Sequence, residues 1–218
     1  MATDVETRDS FRAAMGEELG STYYGLWNEC AWLHWKWSDY VVLFGKNRER
    51  VDMLNRAARS FFFNLSGALH EEILLFLCRM TDPAKTGKGG SKQNLTLQRL
   101  PQRVAPAIQA GTKELVDQAI ADTKFARDWR NRHIAHRDYA LAVNEATKPL
   151  EASSRAAIQT AVEAVTSTLS LVYEHYMDGE VRFDVVTPLG DAEALVYHLE
   201  QGLQAEETLR TPFDRGDR

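Results

Sequence analysis

Residues 155–179 read RAAIQTAVEAVTSTLSLVYEHYMDG and carry the clearest periodic pattern of the chain. Large side chains recur there at spacings of four, three, four, three and four, namely Ile158, Val162, Val165, Leu169, Val172 and Tyr176. This spacing places them on one face of a helix, and Gly179 is the residue type that commonly ends one. A single apolar stripe must be covered by a neighbouring element, so the segment predicts a helix inside a helical assembly.

The segment 10–44 contains no proline and is crowded with aromatic residues. Its pattern predicts one long helix. Four tryptophans fall within eleven positions there, at 27, 32, 35 and 37. Aromatic side chains at helical spacing favour a core or subunit interface over a platform for stacked bases, so we expect a subunit interface.

Two more segments predict long helices. The first runs from 46 to 80 and ends before Pro83, because proline cannot continue a helix. The second begins near 104 or 112 and continues to Leu141, with a break expected near Pro106 or Gly111.

The segment Ala84–Gln93, AKTGKGGSKQ, is expected to be a flexible basic loop. It is not a nucleotide P-loop, because no Gly-Lys-Ser/Thr follows a strand in the required order. Asn94 is expected to cap a short helical turn that ends near Pro101.

The end of the chain is predicted to contain a short extended piece and one more helix. After Gly179, residues 181–185 alternate as a short extended piece would, and Asp191 is expected to cap a last amphipathic helix. The fold class predicted is therefore all-α, an antiparallel four-helix bundle over 10–179 followed by an acidic C-terminal extension, 180–218, packed on or following it.

Charge is unevenly distributed along the chain. The whole protein has 26 basic and 31 acidic residues, a net charge of −5, and 180–218 holds nine acidic against four basic residues. Residues 83–137 hold eleven basic residues and four acidic ones. This middle region indicates either a surface for a polyanion or a solvated loop and helix face, and charge alone favours the solvated surface.

Several other classes of protein are disfavoured. The longest apolar run, Ile73–Cys78, is far shorter than the ~18 residues of a membrane span, and Met1–Ser10 lacks the features of a signal peptide. We therefore expect a cytoplasmic protein without a membrane partner. Cys30 and Cys78 lie within apolar patterns and are expected to be reduced core residues. No Cys or His pair has zinc-ligand spacing, so neither a metal nor another cofactor is expected.

The densest polar cluster is residues 127–139, RDWRNRHIAHRDY. Guanidinium groups stay charged and repel one another, so the cluster needs either an anionic ligand or pairing with Asp122, Asp128 and Asp138. On a straight helix Arg130 and His136 would lie ~120° apart, so the two could meet only if Arg130 curled back or the helix were distorted. Ile134 and Ala135 form a small apolar patch suited to a neighbouring helix or a second subunit.

The string Arg130-Asn131-Arg132-His133-Ile134-Ala135-His136-Arg137-Asp138 resembles the Arg-polar-x(3,5)-His signature of the HEPN superfamily. More narrowly, it is similar to the abortive-infection protein U branch, which tends to show Arg-Asp-Lys-x-x-Ala-His-Arg-Asp. The strings at 77–83 and 94–97 also resemble that branch. Asn131-Arg132 departs from the Asp-Lys expected there. A second register, Arg127 with His133, also fits the signature, but Ala-His-Arg-Asp follows the first.

This resemblance implies a four-helix nucleotide- or RNA-binding module of a superfamily with many ribonucleases. It also implies a homodimer in which the motifs of two protomers face each other across a cleft. Arg130, His136 and Asn131 are then the candidate catalytic residues. Candidates for binding RNA phosphates are Arg132, His133, Arg137, Arg127 and Lys88.

The chemistry of these side chains fits metal-independent RNA cleavage. Histidine exchanges protons near neutral pH, and arginine offers a fork of donors to phosphate oxygens. His136 would move the proton, Arg130 would hold the scissile phosphate, and Asn131 would orient the hydroxyl or His136. We expect single-stranded RNA as substrate, because in-line attack needs a freer backbone than a duplex allows.

Three functions remain open at this point. The first is a dimeric endoribonuclease acting as a toxin or phage-defence protein, with an antitoxin or regulatory protein as a further partner. The second is a non-catalytic module that binds a nucleotide, an RNA or a protein through the same cluster. The third, a carboxylate metal enzyme, is disfavoured because Glu71 and Glu72 lack the Glu-x-x-His repeats of such sites.

Overall fold

The computed structural model describes residues 4–143, 148–183 and 191–210. These residues form helices apart from one short hairpin, which confirms the predicted all-α fold. The α-helices are α1 (Asp4–Met15), α2 (Glu17–Tyr40), α3 (Arg48–Thr81), α4 (Pro106–Asp122), α5 (Lys124–Trp129), α6 (Tyr139–Ala142), α7 (Arg155–Tyr176) and α8 (Ala192–Arg210). The hairpin pairs β1 (Lys85–Thr86) with β2 (Lys92–Gln93) in antiparallel fashion.

The single helix expected over 10–44 is wrong, because the chain breaks at Gly16. This residue adopts φ 82°, in the left-handed region that glycine tolerates, and it separates α1 from α2. α1 then lies against α2 at Gly20, where an added Cβ would be 2.5 Å from the carbonyl oxygen of Phe11. The break lets Phe11 bury its ring against Tyr23, with the ring centroids 5.0 Å apart. α2 gives way to a π-helical turn at Val41–Gly45.

The four tryptophans of α2 differ in exposure. Trp37 is buried and Trp32 is 49% exposed, whereas Trp27 and Trp35 are half-buried. The subunit interface expected for them stays a prediction.

α3 ends where the sequence predicts, at Thr81 before Asp82 and Pro83. The segment after it is not the loop we expected, because it forms the β1–β2 hairpin around a 3₁₀ turn at Lys88–Gly90. The expected capping role of Asn94 is also wrong. Thr96 caps the 3₁₀ turn Leu97–Arg99, and Asn94 instead donates to the carbonyl of Pro83 at 2.7 Å.

The third predicted helix is divided in a place that the sequence did not indicate. α4 begins at Pro106 and passes through Gly111 without a break, but the chain turns at Thr123 before α5. A π-helical turn follows at Arg130–Ile134, and α6 starts only at Tyr139. The cluster therefore lies on irregular backbone rather than in the middle of a helix.

α7 confirms the helix predicted from its apolar stripe. Ser154 caps its N-terminus by accepting from the backbone N–H of Ala157, and the stripe is buried from Ile158 to Val172. α4 packs against α7. The hydroxyl of Tyr23 donates to the carbonyl of Leu169 at 3.1 Å and so ties α2 to the same core.

Both cysteines are buried free thiols, as expected. Burial raises the pKa of Cys30 to about 12. This thiol therefore stays protonated near neutral pH.

The described chain divides into two compact units. One contains residues 4–34 and 71–183, and the other contains 35–70 and 191–210. The division predicted at residue 180 stays a prediction. Of the extended piece predicted at 181–185, residues 184 and 185 lie outside the described part, and residues 181–183 form no strand.

The second unit has its own small core. Leu43, Leu54 and Phe62 are buried there together with Ala192 and Val196 of α8. The side chain of Asp191 accepts from the backbone N–H of Ala194, which confirms its predicted capping role.

Among the described residues, α3 is the one helix long and apolar enough to cross a membrane by length and composition. One third of the window that meets this criterion is buried inside the protein (33%), and core helices of soluble proteins also meet it.

Candidate functional site

The cluster begins on α5 and ends beyond a π-helical turn. The backbone N–H of Ala135 donates to the carbonyl of Arg130 at 2.8 Å, five residues back instead of four. The chain then leaves the helix, and Asp138 caps α6 by accepting from the N–H of Leu141. The sequence left two geometries open, a straight helix with Arg130 curled back toward His136 or a distorted helix, and the structure has the distorted helix. Such single π turns occur often at functional sites.

The segment after residue 147 holds this turn in place. Arg132 pairs with Asp128 at 3.4 Å and donates to the carbonyl of Lys148 at 2.6 Å. Asp128 also accepts from the N–H of Glu151 at 3.0 Å, and the indole of Trp129 donates to the Glu151 carbonyl at 2.8 Å. Arg132 and Asp128 therefore connect the turn to the chain that leads into α7.

Arg127 is anchored in the protein interior. Its guanidinium donates to the hydroxyls of Thr81 at 2.8 Å and Thr123 at 3.0 Å, and to the carbonyl of Ile120. Both threonines are buried. The predicted phosphate contact of Arg127 stays untested, and these hydrogen bonds support a structural role that joins the end of α3 to the turn between α4 and α5.

Arg130 is held by a carboxylate from the end of α3. Its Nη1 donates to Oδ2 of Asp82 at 2.5 Å, and its Nε donates to Oδ1 of Asn131 at 3.1 Å. The side chains of Arg130 and Asp82 are 26% and 22% exposed, so the pair lies at the edge of the protein and remains accessible. Asp82 is the residue that sequence analysis missed. It lies 48 positions from Arg130, and no short-range pattern relates the two.

One carboxylate oxygen of Asp82 is unusual. Oδ1 is buried and has no hydrogen-bond partner among the described residues. A buried acceptor without a donor costs free energy, so an added donor at this position would stabilise the protein.

His133, the histidine of the second register, faces the protein. Its ring packs edge-on against Trp129, with 5.4 Å between the ring centroids, and its Nε2 lies 3.8 Å from Oε1 of Glu71. It is half-buried. The structure thus separates the two registers, since Arg127 and His133 both contact other parts of the protein.

The remaining candidates are exposed. Asn131, His136 and Arg137 all lie on the surface, and His136 forms no hydrogen bond or ion pair with another described residue. Lys88 is exposed on the 3₁₀ turn of the hairpin. Arg130 and Asn131 are in direct contact, whereas no hydrogen bond joins either of them to His136 in the described chain.

Cys78 lies near the ion pair but is no candidate nucleophile. Burial raises the pKa of its thiol to about 11, and the positive charge of Arg130 only partly opposes this. Among the described residues, no three His, Cys, Asp or Glu side chains are grouped closely enough to hold a metal ion.

The all-helical fold and a surface Arg-polar-x(4)-His motif next to a helix end define a protein of HEPN type. The chain matches the model of one family, AbiU2 of the HEPN group, over residues 16–195, and it belongs to that family. The match covers α2 to the start of α8 and includes the whole cluster. No functionally curated protein and no solved structure matches the chain.

Proposed function

We propose that this protein is a metal-independent endoribonuclease of the HEPN type and acts in abortive infection as a toxin or phage-defence protein. The observation that carries the proposal is the difference between the two registers in what their arginines and histidines contact. Asn131 and His136 are exposed, and the guanidinium of Arg130 is held by one carboxylate, that of Asp82. By contrast, the guanidinium of Arg127 is bound to two buried threonines, and the half-buried His133 packs on Trp129. The membership of this chain in the AbiU2 family supports the same function.

The proposed reaction is an internal transfer of the phosphoryl group. The 2′-hydroxyl oxygen attacks phosphorus as its proton is removed, and the bond from phosphorus to the 5′-oxygen breaks as that oxygen is protonated. The products are a 2′,3′-cyclic phosphate and a 5′-hydroxyl, so no water or metal enters the balance. Arg130 would stabilise the negative charge on the phosphate oxygens, and His136 would carry a proton.

Asn131 completes the proposed catalytic group. Its Oδ1 already accepts from Arg130, so its amide N–H₂ group is left to orient the attacking hydroxyl or the ring of His136. Arg137 and Lys88 are exposed and would bind flanking phosphates without reading the bases. Arg132 and His133 are proposed as further phosphate contacts, although Arg132 is already bound to Asp128 and to the carbonyl of Lys148.

A single histidine cannot easily act as both acid and base in one turnover. We therefore propose that a second copy of the chain contributes its own His136 and Arg130 to the site. Exposed apolar side chains at the two ends of α6 support such contact, since Tyr139 is 73% and Val143 is 46% exposed. The molecular mass in solution tests this step, and a monomer that cleaves RNA at full rate would contradict it.

The experiment that tests the enzyme uses labelled single-stranded RNA in the presence of a chelator. The wild-type protein should produce fragments with 2′,3′-cyclic phosphate ends, and His136→Ala should lose at least about 100-fold in rate. His133→Ala is the matched control and should retain activity within about threefold. Equal loss in both variants, or no cleavage by the wild type, would refute the proposal.

A non-catalytic binding module is the second candidate, and one observation favours it. Arg130 and Arg132 are both paired with carboxylates, as expected for a cluster that binds without cleaving. This function predicts RNA, nucleotide or protein binding that is lost in Arg130→Ala, with no fragments formed. A regulatory protein or antitoxin would be a further partner in either case.

A further inference from the structure

A cavity of about 380 Å³ lies beside the Arg130–Asp82 pair. Its walls come from α2, from the end of α3 and from the hairpin with the residues that follow it. The lining residues are Glu29, Arg79, Met80, Asp82, Thr86, Gln93, Asn94 and Leu95. This volume is within the range of small-molecule pockets, ~300–1,000 Å³, and no step of the proposed cleavage uses it.

We propose that this cavity is a subsite for a guanine base next to the scissile phosphate. The inference deepens the proposed function and rests on phosphate binding at Arg130. Asp82 connects the two sites, because it lines the cavity and also accepts from Arg130. A nucleotide whose phosphate is bound at Arg130 would therefore have its base within reach of the cavity.

The acceptors of the cavity select for a base edge that carries donors. Glu29 receives both its hydrogen bonds from Arg79 on Oε2, at 3.0 and 3.2 Å, which leaves Oε1 as an acceptor. Oδ1 of Asp82 is the buried acceptor without a donor. Asp82 lines the cavity, which places this unsatisfied oxygen beside it.

Guanine is the base that matches these acceptors. Its Watson–Crick edge presents two adjacent donors, the N1–H and the N2 amino group, whereas adenine, cytosine and uracil present a donor next to an acceptor. Guanine also carries O6 beside this edge as an acceptor. Oε1 of Gln93 accepts from Arg99 at 2.7 Å, so the amide N–H₂ of Gln93 is directed away from Arg99 and can donate to O6.

Arg79 supplies a flat surface for the base. Its guanidinium carbon lies 4.1 Å from the ring centroid of Phe76, so the aromatic ring covers one face. Unpaired bases stack readily on guanidinium planes of this kind. The opposite face of Arg79 is the one offered to a base, and the side chain is 50% exposed.

The wall formed by the hairpin is held by side-chain hydrogen bonds. Arg99 donates to the carbonyls of Ala84 at 3.0 Å and Asn94 at 2.5 Å, on both sides of the hairpin. Asn94 donates to Pro83 and Thr86. These bonds fix the hairpin relative to the end of α3, so the cavity exists without its ligand.

The test measures RNA binding and not RNA cleavage, so the subsite and the nuclease activity are tested separately. The host is the full chain with His136→Ala, and the probes are fluorescein-labelled UUGUU, UUAUU, UUCUU and UUUUU, followed by fluorescence anisotropy. UUGUU should bind about tenfold more tightly than the other three. Glu29→Gln in this host should reduce the preference to less than about threefold, because its amide N–H₂ would face the guanine donors.

Glu18→Gln is the matched control. Glu18 is on the same helix and accepts from another arginine, Arg103, at 2.6 Å, but it does not line the cavity. The guanine preference should be unchanged in this variant. Equal binding of the four probes, no binding at all, or a preference that survives Glu29→Gln would overturn the subsite. Selective binding by a wild-type protein that cleaves no RNA would instead refute the nuclease and leave the subsite standing.

Discussion

The two registers of the 127–139 cluster, Arg127 with His133 and Arg130 with His136, are alike in sequence and different in structure. Each register offers an arginine, a polar residue and a histidine six positions after the arginine. The guanidinium of Arg127 is bound to two buried threonines and a carbonyl, whereas that of Arg130 is held by one carboxylate at the protein edge. The same residue types therefore have different roles, and the surroundings decide which arginine can meet a ligand.

The difference follows from what each arginine contacts. Thr81 and Thr123 have hydroxyls 2.9 Å apart, and each donates to the carbonyl four residues before it, so both accept from Arg127. Losing Arg127 leaves buried acceptors without a donor. Losing Arg130 leaves Asp82, which water can still partly reach. One position should thus control stability, and the other activity.

The largest effects are expected when Arg127 and Arg130 are each replaced, in separate variants, by methionine, which keeps much of the side-chain volume. Arg130→Met should reduce RNA cleavage by about 100- to 1,000-fold, as for the loss of one donor to a developing oxyanion. Arg127→Met should lower the free energy of unfolding by about 2–3 kcal/mol, because a charged group with buried hydrogen bonds is lost. Denaturant unfolding and RNA cleavage by each purified variant measure the two effects.

The assignment of stability to Arg127 and of activity to Arg130 is wrong if the two variants show the opposite effects. Arg127→Met should cleave RNA within about threefold of the wild type when rates are corrected for the folded fraction. Arg130→Met should unfold within about 1–2 kcal/mol of the wild type, since its partner is at the protein edge. An inactive but stable Arg127→Met variant would identify the second register as the site.

A smaller effect is expected at Asp82, which we regard as a positioning residue. Asp82→Asn removes the charge that holds the Arg130 guanidinium, and small errors in the placement of a catalytic group can cost up to ~100-fold. We expect a loss of about 10- to 100-fold in cleavage of oligouridine, which leaves the guanine subsite empty, and the loss should be mainly in kcat. Glu71→Gln is the control, because its carboxylate faces His133 instead, at 3.8 Å. If both variants behave alike, Asp82 does not act through Arg130.

Much of the fold could be predicted from local patterns, but not its breaks. The stripe of α7 is regular enough to identify the helix and its buried face without further information. The break at Gly16 was missed because glycine inside an aromatic-rich helical pattern does not by itself end the helix. The break lets Phe11 pack on Tyr23, a contact that no spacing rule contains.

The site was predictable in its residue types and less so in its geometry. The resemblance of 130–138 to a known signature was sufficient to identify the family, and the family match confirms the family. The choice of Arg130 and His136 as its site residues stays a prediction. The roles of Arg127 and Asp82 depend on Thr81 and its neighbours at the end of α3, more than forty positions away in sequence. Periodicity describes one helix at a time, so it could not relate the two segments.

The smallest effect is expected at Lys88, on the hairpin. Lys88 is exposed and forms no ion pair with another described residue, whereas Lys113 is paired with Asp117 at 2.6 Å. If Lys88 contacts one phosphate of single-stranded RNA, Lys88→Ala should weaken binding about two- to fivefold. It should also make the slope of log affinity against log salt shallower by about 0.7. Lys113→Ala should leave the slope unchanged. The measurement is RNA binding by the His136→Ala host at several salt concentrations, and a slope unaltered by Lys88→Ala would exclude the hairpin from the RNA path.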